Sequence, residues 1–297
     1  MGLWDRIKGL ARLFLRVGEL DMQELARRLD TSAGRLERID PRYRAFKVSK
    51  RSGGTRRLLA PHRELKALQR VILHRLLRGL RSHPAVHGFE RGRSIVTNAL
   101  PHAGKAVVVR MDIQEFFTQT SAERVQRYFR KIGWSDGAAR ALTDLCTHEG
   151  GLPQGAPTSP RLSNLVNFRI DARLAGLARS LGATYTRYAD DMTFSFVRET
   201  SGKKIARLLV RVRRILRSEG YTLHERKKLH VCRRHHRQAV TGLVVNERVQ
   251  LPRETRRRLR AAEHRVRTGR RPTFSKDQLA GWRSLCSMIE KQRDHGS

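Results

Sequence analysis

The chain has 297 residues, and 63 lysines and arginines against 27 aspartates and glutamates give it a formal net charge of +36. This length supports one large domain or two modest ones, and the charge indicates a nucleic-acid partner, because counterion release from phosphates drives such binding. Three scattered cysteines exclude a disulfide framework, and because no membrane-spanning run or signal peptide is visible we expect a cytoplasmic protein without a membrane partner.

Residues 1–40 are predicted to form a separate helical segment. Apolar residues from Trp4 to Leu15 fall on one helical face, and a second set from Leu25 to Ile39 repeats at helical spacing. We expect the first face to pack on the main domain, with a membrane-surface helix as the alternative. The second set is expected to form two small packed helices rather than a DNA-reading helix-turn-helix.

Strand and helix patterns then alternate along the chain. The predicted elements are strands over 43–48 and 58–61, a basic helix over 63–80, a strand over 106–111, a helix over 121–132, a Pro/Gly-rich turn over 150–160, a helix over 163–180, a hairpin over 185–196, a helix over 203–219, a strand pair over 238–250 and two basic terminal helices. Strands that carry carboxylates, interleaved with helices, predict an α+β domain with helices on one face of a sheet.

Three carboxylates are the most informative residues. Asp190 and Asp191 lie at the tip of the predicted hairpin, in the string Tyr-Ala-Asp-Asp, and Asp112 closes the strand over 106–111. An acidic hairpin tip alone is more often a solvated turn, but a separate third carboxylate indicates an oxygen-rich site of the kind that Mg²⁺ prefers. Two such ions about 3.5–4 Å apart are the usual apparatus for in-line transfer at phosphorus. The trio therefore predicts a template-directed polymerase site.

A second element lies between these carboxylates in the sequence. Residues 151–160 read Gly-Leu-Pro-Gln-Gly-Ala-Pro-Thr-Ser-Pro, and their glycines and prolines bend the backbone ahead of a helix. A rigid turn of this type can press Gln154 against a flat ligand such as a base pair. Taken alone, the segment is more often an ordinary loop.

The order of Asp112, the Leu-Pro-Gln-Gly string and the Tyr-Ala-Asp-Asp hairpin resembles the reverse transcriptase family over roughly residues 40–250. Shorter strings are similar to its retron branch: Asn98-Ala-Leu-Pro-His102, Val240-Thr241-Gly242 and Gly281-Trp282. The resemblance implies an α+β right-hand polymerase fold. Fingers and palm, an antiparallel sheet packed on helices, would occupy residues 41–240, and a short helical thumb that binds RNA and the duplex would occupy 241–297.

The resemblance also implies roles by matching position. Asp112, Asp190 and Asp191 would be catalytic and, with the Ile113 carbonyl, would hold two Mg²⁺ ions. Nucleotide binding would fall to three residues, with Arg56 on the triphosphate, Phe117 under the sugar as a gate against ribose, and Gln154 against the templating pair. The residues implied in RNA binding are Asn98, His102, Val240, Thr241 and Gly242, and the arginines expected on the duplex backbone include Arg256, Arg257, Arg258 and Arg260.

As a function, the resemblance implies an RNA-directed DNA polymerase of retron type. It would use deoxynucleoside triphosphates to copy part of a cognate structured noncoding RNA, which is both template and primer, into branched RNA-linked DNA (msDNA). An anti-phage defence role and an effector or toxin partner follow from the same resemblance. Because the sequence leaves no room for an RNase H domain after the expected thumb, we expect RNase H to be supplied by another protein. Two alternatives stay open, namely a group II intron-like reverse transcriptase and an RNA-binding scaffold that restrains a toxic effector.

Overall fold

The computed structural model describes residues 20–49, 53–224 and 229–294, so the predicted helical face from Trp4 to Leu15 lies outside the described part. The chain divides into two units, each built from two separate stretches. The first unit comprises Met1–Arg81 and Phe117–Val166, and the second comprises Ser82–Phe116 and Asn167–Ser297.

Helices and strands alternate along the described chain. The helices are α1 (Met22–Leu29), α2 (Ala33–Arg38), α3 (Arg63–Ile72, followed by a π-helical turn at Leu73–Leu77), α4 (Ile95–Ala99, followed by a 3-10 turn at Leu100–His102), α5 (Ala122–Lys131), α6 (Asp136–Cys146), α7 (Ser159–Val166), α8 (Phe168–Ser180), α9 (Gly202–Arg217), α10 (Arg253–Arg267) and α11 (Lys276–Asp294). The strands are β1 (Tyr43–Ser49), β2 (Thr55–Pro61), β3 (Val107–Asp112), β4 (Ala183–Tyr188), β5 (Asp191–Phe196), β6 (His230–Arg233), β7 (Ala239–Val240) and β8 (Leu243–Val244).

Most predicted elements are confirmed, but the helix expected over 163–180 is wrong as a single element. It is two helices, α7 and α8, separated at Asn167, and α7 already begins at Ser159 inside the Pro/Gly-rich segment. Pro160 is tolerated there because the first helical turn has no internal partner for its missing N–H. The sequence analysis also missed α6, whose N-terminus is capped by the Ser135 hydroxyl, and the edge strand β6.

The first unit packs helices around a core and carries one hairpin. Strands β1 and β2 pair antiparallel from Tyr43 opposite Pro61 to Ser49 opposite Thr55. The core draws on α1, α3, α5, α6 and α7, and its fully buried side chains include Leu25, Leu65, Phe129, Leu142 and Leu162.

The second unit contains an antiparallel sheet with strand order β4-β5-β3-β6. Val107 and Val109 of β3 face a core that also receives apolar side chains of α8 and α9. Val108 faces the opposite core, which includes residues of β7, β8, α10 and α11. Successive side chains of a strand point to opposite faces, so a strand covered on both sides has an uninterrupted apolar sequence. This explains why Val107, Val108 and Val109 are all buried, whereas the half-buried Arg110 donates through Nη1 to the Ala239 carbonyl.

Within the described residues, none of the helices has both the length and the apolar character needed to cross a membrane.

Candidate active site

The strand register brings the three predicted carboxylates to one end of the sheet in the second unit. Asp112, the last residue of β3, lies directly opposite Asp191, the first residue of β5. Directly opposite residues of antiparallel strands have Cα atoms about 4.5–5.5 Å apart and side chains on the same face. Asp190 precedes Asp191 in the turn, and its carbonyl accepts a hydrogen bond from the Ile113 backbone N–H at 3.0 Å.

The hairpin turn that carries Asp190 has a strained backbone. Tyr188 pairs with Asp191, so the loop consists of Ala189 and Asp190 alone. Ala189 has a φ of 56°, in the left-handed region that two-residue hairpins use and glycine normally occupies. This conformation costs an alanine about 1–2 kcal/mol, and such strain persists only where the surroundings impose it.

A neighbouring segment supplies part of that support. The Arg187 backbone N–H donates to the Ala85 carbonyl and the His87 N–H donates to the Arg187 carbonyl, both at 2.8 Å. The segment therefore runs alongside β4 like a short added strand. Gly88 follows, and a Cβ on it would lie 2.7 Å from the Ala189 nitrogen. Only glycine fits here, because a real Cβ would push the turn away.

The donor set fits a divalent cation. Asp112 is 3% exposed and lies directly opposite Asp191, and carboxylate oxygens are the ligands that Mg²⁺ prefers. Over residues 20–49, 53–224 and 229–294, no three His, Cys, Asp or Glu side chains are already gathered around one point. Metal binding by the three carboxylates and the Ile113 carbonyl therefore stays a prediction.

The three predicted nucleotide-binding residues belong to the first unit. The exposed Arg56 is near the start of β2, and farther along that strand the Leu59 N–H donates to the Gln154 carbonyl at 2.8 Å. Gly155 has a φ of 128°, and a Cβ on it would lie 2.8 Å from the Leu59 carbonyl oxygen. The Pro-Gln-Gly string is thus packed directly on the backbone of the strand that carries Arg56.

The two residues directly before this string contact the segment of Phe117. The Leu152 N–H donates to the Phe117 carbonyl at 3.1 Å, and a Cβ on Gly151 would lie 2.2 Å from the Thr118 carbonyl oxygen. The Phe117 ring is half-buried, whereas Phe116 is 3% exposed and belongs to the core of the second unit. Residues 151–155 therefore contact both the strand that carries Arg56, at Leu59, and the segment that begins at Phe117.

The five residues expected to bind RNA differ in accessibility. Asn98, His102 and Val240 are buried. Thr241 and Gly242 form the two-residue turn between β7 and β8, with φ values of 46° and 83°. A contact with RNA through this group therefore falls to the turn, while the other three residues lie beneath the surface.

Hydrogen bonds hold this turn and the buried histidine in place. The Thr241 hydroxyl donates to the Ile95 carbonyl at 2.8 Å. The His102 ring nitrogens lie 2.7 Å from the Ser195 hydroxyl and 2.8 Å from the Thr186 hydroxyl. Burial lowers the pKa of His102 to about 3, so the ring is neutral and belongs to the hydrogen-bonded interior.

The arginines predicted to contact duplex lie on α10. Arg256, Arg257, Arg258 and Arg260 are all exposed. The Arg258 guanidinium lies 5.5 Å from the centroid of the Phe274 ring, which anchors part of its stem. Their exposure is compatible with contact to a phosphate backbone, and that contact stays a prediction.

Sequence reasoning missed two residues that contact the hairpin turn. Gly88 lies outside every predicted element, and Arg187 lies within the predicted hairpin over 185–196 with no local pattern that distinguishes it. An arginine that is 1% exposed is a rare feature, yet a chain with 63 lysines and arginines gives no signal to single it out.

Comparison with known proteins gives concordant results. A family described as "Reverse transcriptase (RNA-dependent DNA polymerase)" matches residues 48–257. The Retron Mx162 reverse transcriptase of Myxococcus xanthus is 37% identical over 96% of this chain and 64% of its own length. The Retron Ec86 reverse transcriptase of Escherichia coli is 36% identical over 85% of this chain and 78% of its own length. The chain thus spans less than two thirds of the Myxococcus relative.

A solved structure is similar in fold. Telomerase from Candida albicans, in complex with a fragment of telomeric RNA, superposes with a TM-score of 0.51 and 11% sequence identity. The similarity covers 73% of this chain and 47% of that protein. At this identity the likeness concerns the fold alone.

Proposed function

The chain belongs to the reverse transcriptase family, on its retron branch, and we propose that it is an RNA-directed DNA polymerase. The α+β right-hand polymerase fold expected from the sequence is confirmed by the family match and the structural likeness. The proposal depends above all on the register that places Asp112 opposite Asp191, with Asp190 beside it in the turn.

We propose that these three carboxylates and the Ile113 carbonyl hold two Mg²⁺ ions. Bound there, the ions would activate the priming hydroxyl and stabilise the charge on the departing pyrophosphate. The protein supplies the placement of the ligands. Backbone pairing fixes Asp112 against Asp191, and the bond from Ile113 to the Asp190 carbonyl ties the turn to β3.

Nucleotide selection is proposed to use Arg56, Phe117 and Gln154. The planar guanidinium of Arg56 suits the triphosphate, because its fork of donors pairs with phosphate oxygens. The Phe117 ring would exclude a ribose 2′-hydroxyl, and Gln154 would contact the templating base pair. The contacts that residues 151–155 make with the strand of Arg56 and the segment of Phe117 support this assignment.

The retron relatives support a finer proposal about substrate. The cognate RNA would serve as both template and primer, with an internal guanosine 2′-hydroxyl as the priming group and branched RNA-linked DNA as the product. The Thr241-Gly242 turn and the exposed arginines of α10 would contact that RNA and its duplex with DNA. We further propose that the protein acts in the cytoplasm in anti-phage defence, together with an effector protein. RNase H would be supplied by another protein.

Co-expression with RNA transcribed from the flanking sequence tests this proposal. The purified protein should carry a short DNA that separates from RNA only after a debranching enzyme is added. Linear, freely primed DNA would refute the retron priming reaction and leave the polymerase assignment intact. Failure to extend any primer on any RNA template would contradict the polymerase itself.

An Asp190→Asn variant separates catalysis from scaffolding. Extension should vanish, and any cellular phenotype that requires the DNA product should vanish with it. If extension is lost but every phenotype persists, the protein acts as an RNA-binding scaffold.

A further inference from the structure

An ion pair is buried beneath the hairpin turn of the second unit. Arg187 of β4 is 1% exposed and Asp171 of α8 is fully buried. The guanidinium Nε donates to Oδ1 of Asp171 and Nη2 donates to Oδ2, both at 2.7 Å. The pair therefore has the bidentate geometry in which Arg–carboxylate bonds are strongest.

Asp171 has a third donor, since the Tyr185 hydroxyl lies 2.9 Å from its Oδ1. Burial disfavours a charged guanidinium, but the adjacent Asp171 carboxylate raises the pKa of Arg187 above its ordinary value. Burial and the same carboxylate raise the pKa of the Tyr185 hydroxyl, which therefore stays protonated and donates a hydrogen bond to Asp171. The network is thus a fully formed charge pair inside the core.

The remaining guanidinium nitrogen points to the catalytic turn. Nη1 of Arg187 donates to the Ala189 carbonyl at 2.8 Å. Ala189 is the strained left-handed residue directly before Asp190. The guanidinium also lies 5.1 Å from the centroid of the Phe116 ring, four residues after Asp112. One side chain therefore contacts both segments that carry the predicted metal ligands.

Stability alone does not explain this arrangement. Replacing a buried ion pair by apolar residues of similar volume is often neutral or stabilising, so such a pair is weak evidence for a stabilising role. A well-packed apolar pair would fill the same space but would leave the Ala189 carbonyl without its donor. What the arginine adds is a fixed position for the turn.

We propose that Arg187, oriented by Asp171, is a positioning residue that fixes the Ala189 carbonyl and thereby sets the Asp190 carboxylate for divalent-metal binding. The inference rests on the proposed function of the carboxylate trio. Partners that orient metal ligands in this way typically change metal affinity by about 10–100-fold when they are removed. Loss of the pair as a whole should therefore weaken metal binding, whereas loss of Arg187 alone would also destabilise the fold, because it leaves the buried Asp171 carboxylate unpaired.

The double variant Asp171→Leu with Arg187→Met tests this inference, because it removes both charges together and leaves neither of them unpaired. Mn²⁺ alone serves as the probe, and its binding is measured by electron paramagnetic resonance without substrate. We expect a folded protein with a moderately lower unfolding temperature, because the Tyr185 hydroxyl loses Asp171 as its acceptor, together with about 10–100-fold weaker Mn²⁺ binding and a matching rise in the Mg²⁺ concentration needed for half-maximal extension. Wild-type affinity for Mn²⁺ in the folded double variant would overturn the inference.

Two further variants complete the design. Arg173 lies on α8, like Asp171, and pairs with Glu219 at 3.1 Å. The control variant Arg173→Met should leave Mn²⁺ binding unchanged. Should the double variant fail to fold, Arg187→Lys decides the question. One ammonium retains the buried charge but cannot occupy both the Asp171 and the Ala189 positions, so weaker Mn²⁺ binding supports the inference and unchanged binding refutes it. If the wild-type protein binds Mn²⁺ but extends no primer, the proposed function fails while this comparison still stands.

Discussion

Phe117 is the residue through which we expect the protein to discriminate between deoxynucleotides and ribonucleotides. Its ring is half-buried and its carbonyl is fixed by the Leu152 N–H, so its position is well determined. Phe117→Ala should raise the relative incorporation of ribonucleotides by about 10–100-fold, because it removes the steric barrier to a 2′-hydroxyl. The measurement is the ratio of kcat/KM for matched deoxynucleoside and ribonucleoside triphosphates. Phe116→Leu, in the neighbouring core position, is the control, and equal ratios in both variants would exclude Phe117 as the gate.

The buried His102 should make the free energy of unfolding depend on pH. Its pKa in the folded protein, about 3, is below the ordinary value of 6.5, so the unfolded chain binds the proton more readily. The stability from the neutral ring is complete above pH 6.5 and is lost as the pH falls toward 3. Between about pH 7.5 and 5.5 this single group should lower the free energy of unfolding by about 1.4 kcal/mol. Urea unfolding of wild type and His102→Gln at both pH values measures the difference, and an identical pH response in the two proteins would contradict it.

At this scale the sequence was informative only where its signals were local. Asp112, Asp190 and Asp191 could be found because each lies at the end of a strand or in a tight turn that the local sequence pattern predicts. The pairing of Arg187 with Asp171 could not, since a strand residue and a helix residue meet only after packing. Likewise, the buried His102 ring has its hydrogen-bond partners on two strands, at hydroxyls more than 80 positions away along the chain.

At the scale of elements, the backbone contact between Gly88 and the hairpin turn of Ala189 and Asp190 carries a prediction. Gly88→Ala would place a Cβ 2.7 Å from the Ala189 nitrogen, so the turn must shift. A displacement of about 1 Å at a reacting centre can cost about 10²-fold in rate, and we expect a loss of that order in primer extension. Gly176→Ala is the control, because that position on α8 has open space around its missing Cβ and alanine favours the helix. Equal extension rates in the two variants would show that Gly88 does not support the turn.

Elements with strong periodicity were predictable, and elements that depend on partners were not. Strand β3 and the β4–β5 hairpin have apolar and turn signals within a few residues. Strand β6 lies in a basic, histidine-containing string and is a strand only because it pairs with β3 at the edge of the sheet. The break between α7 and α8 falls at Asn167, where the sequence has no proline or glycine that would predict the end of a helix. At this break the side-chain Nδ2 of Asn167 donates a hydrogen bond to the Tyr221 hydroxyl at 2.9 Å.

At the scale of the whole molecule, the net charge of +36 predicts a steep salt dependence of RNA binding. Arg257→Gln on α10 should weaken binding similarly for all sequences and reduce the slope of log K against log salt by about 1, if that arginine neutralises one phosphate. Arg27→Gln is the control, since Arg27 is already paired with Glu24 at 2.7 Å. Filter binding at several salt concentrations measures the slopes, and an unchanged slope in Arg257→Gln would remove that residue from the phosphate contacts.

The most direct test of the central claim is single-turnover primer extension on an RNA template with Mg²⁺ and deoxynucleoside triphosphates, comparing wild type with Asp191→Asn. We predict that the wild-type protein extends the primer and that the variant, folded to the same degree, is slower by about 10³-fold or more, because it lacks a carboxylate that the metal ions require. Extension by the folded variant at a rate comparable with wild type would contradict the assignment of the opposed carboxylates as the catalytic metal site.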